Sequence, residues 1–228
     1  MHYKNLFIIG TSHISKDSVN EIKKRASELN PDIIAIELDK HRLSALISNA
    51  KPDYSIKNIS KIGFKGYLFA IIGGYFQKKL GEIVGVKPGS DMYVAVKFSQ
   101  ENHKILALID QDINITLKKL SKNIKFKEKI RFIWDLLTSW FQPKIKIDIS
   151  KVPEDELVRQ LMRILKKNYP NIYYTLVDER NKIMSRRLVK LMRENPDKKI
   201  LCVIGAGHKE ELMKMVKNIF ESENFELF

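Results

Sequence analysis

"LFIIGTSHIS", residues 6–15, runs apolar up to Gly10, adds two small polar residues and reaches His13 just before the chain turns polar. "LCVIGAGHKE", residues 201–210, repeats the device with Gly205, two small residues and His208. A short apolar run without polar alternation reads as a strand covered on both faces. The runs inside "PDIIAIELDKHR" (31–42) and "ILALIDQDIN" (105–114) have the same character. Buried strands are therefore predicted over 6–10, 32–38, 104–110 and 199–205.

Helical patterns separate these runs. Ser15 can cap a helix whose apolar positions Val19, Ile22, Ala26 and Leu29 form one stripe, ended by Asn30 and Pro31. The unit from 6 to 38 thus predicts strand–helix–strand, with its two strands as a parallel pair. Pro88, Gly89 and a Ser90 cap open a further helix that leads into the third strand. Residues 113–197 read as mainly helical, with breaks near Pro143, Pro153 and Pro170. The expectation is an α/β fold, a central mainly parallel sheet flanked by helices. It forms one domain over 1–228, with a basic helical insertion at about 113–197.

With 228 residues and 44% hydrophobic content, the chain can build a substantial core. Cys202, its only cysteine, lies in an apolar run and reads as a small buried side chain. The lone thiol and the absence of a signal-peptide pattern in "MHYKNLF" favour a reducing, cytoplasmic setting. No run reaches the roughly 18 apolar residues that span a bilayer; "YLFAIIGGYF" (67–76) is short, broken by two glycines, and offers a face for a homodimer.

The net charge of +14 is unevenly placed, since residues 113–147 carry nine Lys or Arg against two acids. Phe126, Phe132, Trp134, Trp140 and Phe141 are interleaved there. One reading of the stretch 118–146 is a surface for an anionic membrane. The other is a solvated helical face whose aromatics pack inward. No nucleic-acid reading motif accompanies the charge, so specific nucleic-acid binding is not expected.

In a parallel sheet the functional groups gather where strands end and enter helices. Each G-x-x-H falls at such an edge, and two imidazoles delivered there can serve as neutral ligands of a divalent metal. Glu37 and Asp39 end the second strand; Asp110 and Asp112 end the third. A glutamate in a buried run needs a partner, which singles out Glu37, whereas Asp39 and Asp112 can cap the helices that follow. His2 and His103 precede strands and belong to the opposite edge. In "LVDERNKIMSRRLVKLM" (176–192), Arg180 falls inside the apolar stripe of Val177, Met184, Leu188 and Leu191, so it needs an anion, a carboxylate or a substrate. Arg186, Arg187 and Lys190 read as solvated. P-loop, G-x-G-x-x-G, H-E-x-x-H and G-x-S-x-G patterns are missing.

Together "GTSHIS", "PDIIAIELDKHR", "PGSDM", "LIDQDINIT", "DERNKIM" and "VIGAGHKEEL" resemble, in order, the motifs of the TraB/PrgY family. That family belongs to a wider group with the TIKI metalloproteases and the erythromycin-esterase/ChaN-like proteins. The resemblance runs along nearly the whole chain. It marks His13, Glu37, Arg42, Asp110, Glu179, Arg180 and His208, and it implies divalent metal-dependent peptide cleavage as known for the TIKI branch. Three positions depart from the pattern: Asp91 stands in place of the usual glutamate, Gln111 in place of an arginine, and Asn181 in place of an acid. Archaeal relatives often continue into hydrophobic helices, so membrane association and a truncation at Phe228 are also implied.

The resulting expectation is a metal-dependent hydrolase of peptide or related acyl bonds. His13 and His208, with Asp110 or Asp91, would hold Mn, Zn or Co, and Glu37 would take the proton from a metal-bound water. Arg180, Arg42 and Glu179 would complete the site, the arginines holding a substrate carboxylate or oxyanion. The partner is a peptide or small-molecule substrate. The alternative is a non-enzymatic, membrane-proximal module that captures a ligand at the sheet edge and docks on lipid through its basic surface.

Overall fold

The computed structural model describes residues 1–11, 16–48, 89–128, 130–131, 134 and 154–225. Along them run β1 (His2–Tyr3), β2 (Leu6–Thr11), α1 (Lys16–Leu29), β3 (Ile33–Ile36), α2 (Lys40–Ile47), α3 (Ser90–Glu101) and β4 (Ile105–Leu108). Then follow α4 (Ile113–Asn123), α5 (Glu154–Asn168), α6 (Pro170–Tyr173), a π turn (Tyr174–Asp178), α7 (Glu179–Glu194), β5 (Ile200–Gly205) and α8 (Ala206–Phe225). The dimer segment 67–76, the Ser15 cap, Pro143 and Pro153 lie outside the described residues.

Among the described residues five strands form one sheet in the order β1-β2-β5-β3-β4, parallel except for β1. The expected α/β architecture is thus present, with one correction. β2 and β3 are parallel but are not neighbours, because β5 inserts between them. Every residue of β5 and of β3 is buried, so the strands with no solvent-tolerant face take interior positions. β4, with Ile105 half exposed, takes an edge. The short β1 covers the other edge.

Alternation along β5 assigns the two faces. Ile200, Cys202 and Ile204 join Met184, Leu188 and Met192 of α7 and Leu212 and Val216 of α8. Leu201 and Val203 join Ile22 and Ala26 of α1 and Met92, Ala95 and Val96 of α3. The sheet is therefore sandwiched between two helical layers, and burial pushes the Cys202 thiol pKa up. Leu188 is fully buried. Leu188→Ala should cost about 2–5 kcal/mol in chemical denaturation, through lost transfer energy and the cavity left behind.

Local stops follow the sequence. α1 ends at Asn30, whose φ of 45° is the left-handed terminus an asparagine tolerates, just before Pro31. α3 is capped by Gly89, not Ser90: Gly89 sits at φ 82°, and Ser90 is the first helical residue. The expectation of inward-packed aromatics fails at two positions, because Phe126 is 74% and Trp134 65% exposed; Phe132, Trp140 and Phe141 lie outside the described residues. No helix among those described is long and apolar enough to cross a membrane.

Candidate functional site

The insertion of β5 decides the site. It aligns Thr11 with Gly205 and Ile36 with Val203, so the ends of β2, β5 and β3 form one ledge. At Gly205 the chain passes straight from strand to helix α8. His208 consequently sits in the first helical turn, not on a loop. Gly10 is needed because α8 starts close above it: a Cβ there would stand 2.7 Å from the Lys209 side chain and 3.1 Å from the Ala206 Cα.

Glu37 is the first residue past β3 and is nearly buried. Its Oε2 accepts the Gly205 N–H at 2.6 Å, at the amino end of α8 where the helix dipole favours an anion. Its Oε1 is ion-paired to Arg180 and lies 3.4 Å from His208 Nε2. Asp110, past β4, takes Arg180 Nε at 3.0 Å on Oδ1, and Arg42 on Oδ2. Burial opposes its charge, yet the Arg180 guanidinium and its hydrogen bonds, helped by Arg42, hold its pKa below the usual carboxylate range. The same network outweighs burial for Arg180 and Arg42, whose pKa values are raised.

Arg180 reaches this position through the π turn that precedes α7. Such a turn re-aims the residues after it and recurs at functional sites. The guanidinium also donates to the Leu176 carbonyl within that turn at 3.1 Å. Arg180 Nη1 lies 3.3 Å from His208 Nε2. An arginine only donates, so Nε2 accepts and the ring proton sits on Nδ1, which donates to Asn181 Oδ1 at 2.7 Å.

Arg42 is set by Asp39, whose carboxylate caps α2 by accepting the His41 and Arg42 N–H groups and also takes Arg42 Nε at 2.7 Å. Asp39→Ala should cost about 1–2 kcal/mol in thermal or denaturant unfolding, since it removes a cap and leaves Arg42 with one carboxylate. Asp112 caps α4 as expected.

The structure thus joins Glu37, Arg42, Asp110, Arg180 and His208 in one buried cluster. Asp91 accepts the Thr11 hydroxyl, and Glu179 is 3.3 Å from Lys119. His13 lies outside the described residues. Sequence reasoning did not find Thr11 or the role of Asn181, although Asn181 had been singled out as a departure. Arg187, expected to be solvated, is exposed and also donates to the Asp110 carbonyl.

A divalent metal does not fit the described donors. Among the described residues no three His, Cys, Asp or Glu side chains are grouped to hold one. The guanidinium of Arg180 occupies the space between Glu37, Asp110 and His208, and Asp110 meets arginines on both oxygens.

The sequence profile of the TraB/PrgY/gumN family matches residues 2–218. The chain belongs to that family. This TraB/PrgY/gumN member is 35% identical over 229 residues to an uncharacterized protein of Methanocaldococcus jannaschii, a match covering 98% of this chain and 56% of the relative. It is 24% identical over 230 residues to the human TraB domain-containing protein, covering 89% of this chain and 60% of that protein. The mouse TraB domain-containing protein is likewise 24% identical, over 231 residues. The chain spans between 56% and 60% of these relatives' lengths.

Proposed function

We propose that the protein hydrolyses peptide or related acyl bonds at the carboxyl edge of its sheet. The observation that carries this reading is the setting of His208: Nδ1–H fixed by Asn181, with Arg180 and Glu37 gathered at Nε2. Imidazole is the side chain suited to move protons near neutral pH. His208 takes a proton from the attacking water through Nε2, the Glu37 carboxylate stabilises the imidazolium that forms, and the imidazolium returns the proton to the leaving amine or alkoxide as the acyl bond breaks. When substrate binds, the Arg180 Nη1–H that faces Nε2 turns to the substrate carbonyl oxygen, which frees the Nε2 lone pair and meets the negative charge that develops on that oxygen.

Glu37, expected from the sequence to be the base, suits the supporting role better, since it is already bound to Arg180 and to the Gly205 N–H. Asp110 and Arg42 keep Arg180 in place. The test is a panel of peptide and ester substrates offered to the protein with chelator and, separately, with added Mn, Zn or Co. Release of a new amine or alcohol that disappears in His208→Gln supports the reading; no turnover in any arm, or turnover unchanged in the variant, overturns it.

A further inference from the structure

The segment after α4 carries a surface that the hydrolase reading does not use. Residues 126–128, 130–131 and 134 are helical. At about 100° per residue, positions 126, 130 and 134 fall on one face and 128 on the opposite one. Glu128 is buried and turned inward, accepting from the Asn171 N–H and side-chain amide at 2.9 Å each and from the Lys125 N–H at 3.4 Å. Arg131 adds a bond to Asn168 at 3.1 Å. That anchor leaves the outer face with Phe126 at 74%, Ile130 at 52% and Trp134 at 65% exposure.

Basic residues neighbour the apolar face along the chain. Lys118, Lys122, Lys125, Lys127 and Arg131 are exposed. Glu128, the one acid between residues 113 and 131, has its carboxylate taken inward. A helix with aromatic and aliphatic side chains on one face, flanked by lysines, has the pattern that lies in a membrane interface. Apolar side chains enter the headgroup boundary while long basic side chains reach anionic phosphates.

We propose that this face docks on an anionic lipid surface, with Phe126, Ile130 and Trp134 inserted and the neighbouring lysines on headgroup phosphates. An aliphatic residue at the centre of the face argues for lipid over nucleic acid, where stacking groups would be favoured.

Flotation of the whole 228-residue chain with phosphatidylcholine vesicles, with and without phosphatidylglycerol, tests this at low and high salt. Binding should require phosphatidylglycerol, weaken as salt rises, and fall about tenfold or more in Phe126→Ser/Trp134→Ser. Both side chains are exposed, so the variant should keep its circular dichroism spectrum and melting temperature. Absence of flotation, equal binding by the variant, or displacement from vesicles by an RNA or DNA duplex that the variant no longer binds would each overturn the proposal.

Discussion

Arg180→Leu is expected to destabilise the protein by about 3–5 kcal/mol at neutral pH, the cost of leaving buried charge without its partner. Arg180 is the cation shared by Glu37 and Asp110, whose side chains are 6% and 0% exposed. Single domains have about 5–15 kcal/mol in all, so the variant would sit near the edge of folding. The pH dependence has a definite sign. In the parent, the depressed Asp110 pKa contributes stability above the unfolded carboxylate range and loses it as pH falls through the folded value.

In the variant, Glu37 loses its Arg180 ion pair while staying buried, so folding favours a protonated carboxyl and stability falls as pH rises. The deficit should therefore be smaller at pH 4 than at pH 7, and shrink further only as pH falls through the depressed Asp110 value. Urea titrations at several pH values measure it. Arg180→Leu/Glu37→Gln supplies the control, because the glutamine keeps an acceptor for the Gly205 N–H without the charge. Part of the loss should return in that double variant. Equal deficits at both pH values, or no recovery, would mean that the guanidinium is not compensating these carboxylates.

The second large effect concerns turnover. His208→Gln should lower kcat for peptide or ester hydrolysis by about 10²–10⁴-fold, the usual contribution of a positioned proton acceptor. The amide keeps hydrogen-bonding groups within reach of Asn181 and Arg180 but cannot carry the proton. Thermal stability should stay close to that of the parent, which separates chemistry from folding. A variant that keeps its turnover would remove His208 from the mechanism and leave the cluster with a structural role.

Much of this was legible from residue type and local pattern. Strands buried on both faces announce themselves as unbroken apolar runs, and β5 is the clearest example. Arg180 was conspicuous because a guanidinium inside an apolar stripe needs an anion. Asp39 and Asp112 were readable as caps because capping is local. What stayed hidden depends on distant contacts. Nothing local says that β5 enters between β2 and β3 or that Thr11 meets Asp91. Nor does the local sequence show that Arg187, exposed by periodicity, reaches back to the Asp110 carbonyl. The π turn at Tyr174–Asp178 left no mark in a sequence that continues a helical stripe. β1 is two residues long, too short for any periodicity to register.

The placement of β5 bears on how the molecule is made. The middle of the sheet is the last of the five described strands to be synthesised, so β2 and β3 leave the ribosome with facing edges unfilled and wait for about three-quarters of the 228 residues to follow. Pairings that distant in sequence form slowly and leave intermediates prone to aggregation. His208 arrives with the same strand and meets Glu37 only on its closure, so a nascent fragment ending before it has no assembled cluster.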